Sequence, residues 1–500
     1  MEYQNDLLHE LEVLVKSRYG VIFLETPEEE RAGSLLTLLA GRLELPFFSW
    51  KITEGLRRKD IQTGGPVYGS TDVSVAIDHI LSSGLAAIYH FRGFNNFLDD
   101  FRNVNKLREL ALRLSKITSS VIITGDGLTI PNILKPLSSL VTVPPPGINQ
   151  YRNLLNNIIR DLNLKSRPII ELGEKQTNQL LNNVKGLTLT EAEKILTRVI
   201  IEDNRLSVKD INAVLKAKKK IIEKEGVLEY LPVEESLAEI ADMTNLKQWL
   251  IKRKNIIENP SKAREFGLVF PRGILLLGVP GCGKSLCAKA VAAEWQLPLL
   301  KFDTSNLYNK YIGETEKNLR KVFRTSEKMS PLVLWIDEIE KAFSFSDSVE
   351  DSGVSTRLFG NFLSWMQERK ADVFTVATAN DVSKLPPEFL RKGRFDEIFF
   401  VDLPDKEARK HIFEIHLKKR GRDTDLFDTS RLSSVSEGFT GSEIEQAVIS
   451  ALYSAFYRGD KLSTELIEEE INNTSPLSVT MAEKINQLRQ WATGRTVVAN

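Results

Sequence analysis

Cysteine is nearly absent: Cys282 and Cys287 are the only two in 500 residues. Two thiols cannot build a disulfide framework, and thiols this sparse suit a reducing compartment. Net charge is missing too. Lys+Arg 67 stands against Asp+Glu 67, which leaves no basic surplus of the kind a general nucleic-acid binder carries. No apolar run is long enough to span a bilayer; the longest, such as GILLLG at 273–278, are strand-sized. The opening MEYQNDLLHELEVL is acidic and reads as an amphipathic helix, whereas secretory and import leaders are basic and poor in acids. Hydrophobic content of 42% excludes a disordered chain. What remains is an expected soluble, intracellular protein whose length implies two or three cores.

Residues 1–205 alternate strand-like runs (VIFL at 21–24, AAIYHF at 86–91, SVIITG at 120–125) with helical patterns. Such alternation predicts a parallel sheet covered by helices. SLVTVPPPG at 139–147 should close that sheet, because proline denies the ladder its donors. A helical stretch follows from Tyr151 to about Asp203. The charged segment VKDINAVLKAKKKIIEKEG (208–226) reads as a helix within a linker over 206–234. Acids follow its lysine run closely, so a solvated face is expected rather than a nucleic-acid contact. Strand–helix alternation returns over 235–402 (GILLLG, LPLLKF, LVLWID, DVFTVAT, EIFFVDL). Residues 403–475 read as helical, and 476–500 as a last amphipathic helix, roughly 478–493, with a tail.

The two halves look alike. ELPFFSW (44–50) sits under QLPLLKF (296–302), and GLTLTEAEKI (186–195) under GFTGSEIEQA (438–447), both at an offset of 252. An internal duplication is therefore expected.

The second half carries the chemistry. GVPGCGKS (278–285) is G-x-x-x-x-G-K-S between a strand and a helix. Gly278, Gly281 and Gly283 let backbone N–H groups turn in around phosphate oxygens at the positive end of a helix dipole. Lys284 supplies a point charge to the outer phosphates, and the Ser285 hydroxyl can ligate magnesium. LVLWIDEIE (332–340) is a buried strand delivering Asp337 and Glu338 at its end, 53 residues after Lys284 in the case of Asp337. Paired carboxylates there are costly without a cation. Asp337 is placed to hold magnesium through water, and Glu338 to polarise the attacking water. Asn380 ends DVFTVATAN, 43 residues after Asp337, and can orient water against the terminal phosphate. Arg391 and Arg394 follow in LPPEFLRKGRFDE (385–397), where they suit charge stabilisation on a phosphate held by a neighbouring subunit.

These pieces, in this order and spacing over about 235–458, resemble the AAA family of ATPases. The resemblance implies an α/β fold: a P-loop AAA+ module, meaning a parallel sheet with helices on both faces plus a helical lid. A degenerate, AAA-like α/β domain would precede it. It implies ATP and Mg2+ as cofactors, an ATPase reaction, and a ring of identical subunits, usually six. The P-loop residues Gly278, Val279, Pro280, Gly281, Cys282, Gly283, Lys284, Ser285 and Leu286 would bind nucleotide. Ile240, Ile412 and His416 would line the adenine pocket, and Gly441 and Ser442 would form the small pair of the lid. Arg391 and Arg394 would be paired arginine fingers, and Tyr311, in Lys310-Tyr311-Ile312-Gly313-Glu314, the pore-loop aromatic that grips polypeptide.

Some positions depart from the family. Cys282 replaces a threonine; it reads as a small-residue substitute, or as a thiol whose pKa the positive loop lowers, making ATP binding thiol-sensitive. Ile240-Ala241-Asp242 stands for Ile-Gly-Gly, Asp381-Val382 for Arg-Pro, and the Ser- and Asp-rich loop 343–356 is unlike the usual second pore loop. In the first half, PEEERAGS (27–34) occupies the P-loop position with three glutamates that would repel phosphate, and HFRG (90–93) replaces the acidic strand end. That half is expected to have lost hydrolysis and to dock substrate or act as a scaffold.

The chain length, the opening segment and GVPGCGKS further resemble a group of AAA proteins known as a hypothetical chloroplast reading frame, of cyanobacteria and algal plastid genomes. That implies a photosynthetic setting, in a cyanobacterial cytoplasm or a chloroplast stroma. The expected function is a ring ATPase that remodels or unfolds a protein partner. The alternative is a nucleotide switch that controls a partner without threading it. No HExxH zinc motif supports a protease, and no specific nucleic-acid partner is expected.

Overall fold

The computed structural model describes residues 2–61, 64–164, 167–223, 226–231, 240–304, 314–343, 349–391 and 393–500. It divides into two compact units. Met1–Pro168 with Leu187–Asn204 make the first, and Ile169–Gly186 with Arg205–Asn500 the second.

The first unit is built on β1 (Val21–Glu25), β2 (Phe47–Lys51), β3 (Gly55–Arg58), β4 (Ile88–Arg92), β5 (Ser120–Gly125) and β6 (Ser138–Thr142). Their order is β3-β2-β4-β5-β1-β6, parallel except for β3. Alternate residues of the central strands feed opposite cores, as the two-residue strand period requires. Val21, Phe23, Val121 and Ile123 face one side, and Ile22, Leu24 and Ile122 the other. Strand β6 lies at the edge, and the prolines after it end it there as expected.

The second unit begins with β7 (Ile169–Ile170) and β8 (Arg205–Leu206), a small parallel pair. Its main strands are β9 (Leu228–Leu231), β10 (Gly273–Gly278), β11 (Leu299–Phe302), β12 (Leu332–Ile336), β13 (Val373–Ala379), β14 (Glu397–Val401) and β15 (Val497–Val498). They run in the order β15-β14-β10-β13-β12-β11-β9, with only β9 antiparallel. Every residue of β10 and β12 is buried. Leu275, Leu277, Leu334 and Ile336 face one core; Ile274, Leu276, Val333 and Trp335 face the other. Each of these aliphatic side chains contributes about 2 kcal/mol by leaving water.

Without β3, β9 and β15, the two sheets share one strand order: β2-β4-β5-β1-β6 against β11-β12-β13-β10-β14. The helix Leu189–Asp203 starts on a capping box of Thr188 with Glu191, and Gly441–Arg458 on one of Thr440 with Glu443. Those caps keep the offset of 252 read from the sequence. The helices Lys406–Lys419, Thr429–Val435, Gly441–Arg458 and Thr464–Asn472 form the lid around their own core.

Four expectations are corrected or bounded. The helix Val208–Glu223, read as part of a linker, belongs to the second unit and packs against β9. Its lysine run is not wholly solvated: Lys218 is buried, donates to the Lys185 carbonyl at 2.7 Å, and is pushed down to about 7 by burial. Of the loop expected over 343–356, residues 349–356 open the helix Val349–Glu368, and 344–348 lie outside the described residues. Tyr311 also lies outside them. No helix among the described residues is long and apolar enough to cross a membrane.

Candidate nucleotide site

Strand β10 ends in a tight turn into the helix Lys284–Trp295. Gly278 has φ 144, and a Cβ there would collide with the Val401 carbonyl of β14, so only glycine fits. Gly281 has φ 77 and lies against the lid: a Cβ would come within 3.0 Å of Thr440 Oγ1. The Ser442 N–H donates to the Gly281 carbonyl at 3.1 Å. Gly441 and Ser442, read as the small pair of the lid, thus lie in direct contact with the loop.

A cavity of about 540 Å³ opens beside this turn. Pro280, Gly281, Cys282, Gly283, Lys284, Ser285 and Leu286 line it, with Asp337, Glu338 and Asn380 at one end. The rest of the lining mixes apolar Ile240, Ala241, Met243, Ile412 and Ile415 with Asp242, His416, Lys419 and Glu445. Gly278 and Val279 serve from behind: their carbonyls accept from Lys284 Nζ at 2.8 and 2.7 Å.

The acidic end is tightly organised. Ser285 Oγ donates to Asp337 Oδ1 at 3.1 Å, and Thr378 Oγ1 donates to the same oxygen at 2.6 Å. Thr378 also accepts from the Glu338 N–H at 3.0 Å. Glu338 has φ 49, a left-handed conformation uncommon for a glutamate and informative where a site holds it. Its carboxylate accepts from Asn380 Nδ2 at 3.0 Å and pairs with the Lys341 ammonium. Behind it the buried Glu340 accepts from the Asn380 N–H at 2.9 Å, and burial pushes its carboxyl above the usual range.

Burial pushes the Lys284 ammonium down to about 8, against the pull of Glu340, Asp337 and Glu338. A phosphate chain would favour the charged form, so binding retains a proton that the free chain loses above that pH. Nucleotide affinity is therefore expected to fall between about pH 7 and about pH 9, with uptake of up to about one proton per nucleotide at the upper end. Calorimetry in buffers of differing ionisation enthalpy reads this directly. An affinity flat across that range would mean that the Lys284 ammonium keeps its proton in the free chain.

The Cys282 thiol is corrected in direction. Burial pushes it up to about 12, overriding the nearby Lys284, so a thiolate-based sensitivity of ATP binding has no support. His416 is held below its ordinary value by burial, with Glu445 at 3.4 Å opposing, and meets the cavity as a neutral ring. Arg391 is exposed, and half-buried Arg394 donates to the Leu363 carbonyl at 3.3 Å. Neither is among the described residues lining the cavity. Sequence reasoning missed Thr378, Lys341, Glu445, Asp402 and Asn500.

In the first unit the corresponding turn is charge-inverted. Arg92 ends β4 in register with Thr124 and pairs with Glu30 at 2.6 Å and Glu29 at 3.5 Å. Glu29 also accepts from the Gly93 N–H at 2.9 Å, and Glu28 from the Leu189 N–H at 2.6 Å. Carboxylates of the chain thus meet the cation and the helix N-terminus that would otherwise face an anion. His90 Nε2 sits 2.9 Å from Thr124 Oγ1, and burial lowers its pKa to about 3.

Family models match three stretches: the ATPase family associated with various cellular activities (AAA) at 274–403, the SpoVK-like AAA ATPase N-terminal domain at 7–143, and its second domain at 149–225. The AAA domain-containing protein ycf46 of Trieres chinensis is 37% identical over 494 residues, covering 98% of each chain. That of Pyropia yezoensis is 35% identical over 487 residues, covering 97% of each. The proteasome-activating nucleotidase of Aeropyrum pernix is 35% identical over 213 residues, 42% of this chain and 52% of its own. A cavity lined by the P-loop turn and matches that run almost end to end agree: the chain belongs to the AAA ATPase family, in the group of the ycf46 AAA proteins.

Proposed function

We propose that this chain binds ATP with magnesium, hydrolyses it, and works as a ring, a homo-hexamer, that remodels or unfolds a protein partner. The carrying observation is that Lys284, Ser285, Asp337, Glu338 and Asn380 meet in one cavity while Arg391 and Arg394 stand outside its lining. Ser285 and Asp337 offer hard oxygen donors 3.1 Å apart, a set that fits magnesium when phosphate and water complete it. Bound there, the ion would neutralise charge on the phosphates. Lys284 exchanges its carbonyl contacts for the outer phosphates. Glu338, aimed by Asn380 and Lys341, takes the proton of the attacking water. Thr378 keeps Asp337 and the Glu338 backbone in register.

Ring assembly draws support from two uncovered apolar patches of the second unit. Phe266 (87% exposed) and Val269 (80%) precede β10, while Tyr453, Phe456 (88%) and Tyr457 lie exposed on the helix Gly441–Arg458. Two unlike patches on one chain suit head-to-tail contact, which closes into a ring when the rotation allows. The likeness to a proteasome-activating nucleotidase favours a protein client. The first unit, with its own carboxylates at the pseudo-site, would select that client, and Tyr311 would grip it. The group implies a plastid or cyanobacterial setting.

Native mass in ATP tests the ring. The wild type is expected at several times the mass of one chain, and Phe456→Asp as single chains with turnover reduced about a thousand-fold, since a buried unpaired charge defeats the contact and no neighbour's Arg391 then reaches the cavity. A wild type that stays a single chain at full turnover would sink the ring reading.

A further inference from the structure

Strand β15 is two residues long, yet backbone hydrogen bonds on both sides of it tie the segment into the second unit. It runs parallel to β14, with Phe399 opposite Val497 and Phe400 opposite Val498. The Ala499 N–H continues the ladder to the Phe400 carbonyl at 2.9 Å, and Ala499 itself is fully buried. It shares a core with Ile240, Met243, Leu246 and Val401.

The Ala499 carbonyl then accepts from two N–H groups at once, those of Asn245 at 3.0 Å and Leu246 at 3.2 Å. These are first-turn donors of the helix Thr244–Glu258, whose N-cap residue Met243 offers no side-chain cap. A helix start needs acceptors for its free N–H groups, and here another part of the chain provides one. Asn245 reciprocates: its Nδ2 donates to the Val498 carbonyl at 3.1 Å and to the Asn500 carbonyl. On the same side, Arg489 of the helix Ala482–Ala492 makes a bidentate pair with Asp402 at 2.8 to 3.0 Å.

What the segment holds is the turn before that helix. Asp242 and Met243 are consecutive non-glycine residues at φ 66 and φ 60, a conformation that persists only when its surroundings impose it. Ile240, Ala241, Asp242 and Met243 line the cavity, with Met243 beside Gly283 of the P-loop, and Asn500 and Asp402 line it too.

We propose that Val497–Asn500 is a working part of the nucleotide site, which clamps the Ile240–Met243 turn against the base of the bound nucleotide through Ala499 and Asn245. This rests on the reading that the cavity takes a nucleotide. Asn245 and Ala499 are positioning residues: they act through the turn, not on the phosphates. Affinity for nucleotide then depends on the docked segment, and by linkage a bound nucleotide favours docking by the same factor. Anything that draws the segment out of the sheet would release nucleotide.

The experiment separates the two ends of the cavity with two probes, ATP and inorganic tripolyphosphate, which lacks the base. In the chain truncated after Arg495, ATP affinity is expected to fall about ten-fold or more, while tripolyphosphate affinity stays within about two-fold of wild type. Asn245→Ala, which removes one clamp and leaves the core intact, should lower ATP affinity about three-fold with tripolyphosphate unchanged. Parallel loss of both probes in Asn245→Ala, or unchanged ATP affinity in both variants, would overturn the clamp. A wild type that binds tripolyphosphate but gains nothing from the base would also overturn it. A wild type that binds neither probe would instead overturn the nucleotide reading beneath it.

Discussion

Glu338→Gln is expected to slow ATP hydrolysis by about two to three orders of magnitude while leaving ATP affinity near that of the wild type. Gln keeps the length of the side chain, so the change removes proton acceptance and leaves the cavity filled. The donors that hold the residue are known: Asn380 Nδ2 at 3.0 Å and the Lys341 ammonium, with the backbone N–H on Thr378. Asp337 keeps its bonds to Ser285 and Thr378 in the variant, so the phosphate end is not dismantled. Single-turnover hydrolysis beside equilibrium binding of a fluorescent ATP reads the two effects apart. If turnover survived with binding intact, the water would be activated by some other group, and Glu338 would be a structural carboxylate.

Arg391→Ala is expected to cost about three orders of magnitude in turnover, again with little change in affinity. The reason differs. Arg391 is exposed and outside the lining of its own chain's cavity, so a catalytic effect requires that it reach a neighbour's. Arg394, tied to the Leu363 carbonyl, is the shorter-range partner. Trans action has a signature that no local defect imitates. Arg391→Ala and Lys284→Ala are each expected to be inert alone, and a mixture of the two to regain part of the activity. At mixed contacts an intact Arg391 from the chain without Lys284 meets an intact P-loop in the other. Absence of any regain in a mixture that assembles would assign Arg391 a structural part.

The readable portion of the site was the part where chemistry is written in consecutive residues. GVPGCGKS must follow a strand and open a helix, and Asp337-Glu338 must end an apolar run, so residue type and spacing alone locate them. Thr378 escaped because its part depends on strand register. Ile336 lies opposite Ala377, which brings the next residue on each strand together, and no local pattern states that pairing. Strands β9 and β15 escaped for a related reason: four and two residues carry too little alternation to be seen, and each is strand only because an edge receives it. The lysine run at 216–220 misled because burial of Lys218 rests on one carbonyl, at Lys185, that lies outside its helix. For Cys282 both influences were visible in principle, but only the packing reveals that burial outweighs the positive loop. Symmetry fared better, since the caps at Thr188 and Thr440 are sequence signals as well as structural ones.

The charge-inverted turn of the first unit has a consequence for how the two halves respond to their surroundings. A bound nucleotide stabilises its module by an amount that depends on how far its concentration exceeds the dissociation constant, and that support vanishes as supply falls. Glu28, Glu29 and Glu30 are anions tethered to the chain whose Arg92 and N–H groups they meet, so their effective concentration is set by geometry and never diluted. The first unit therefore behaves as a module whose ligand cannot leave. It is expected to keep its shape when adenylate runs low.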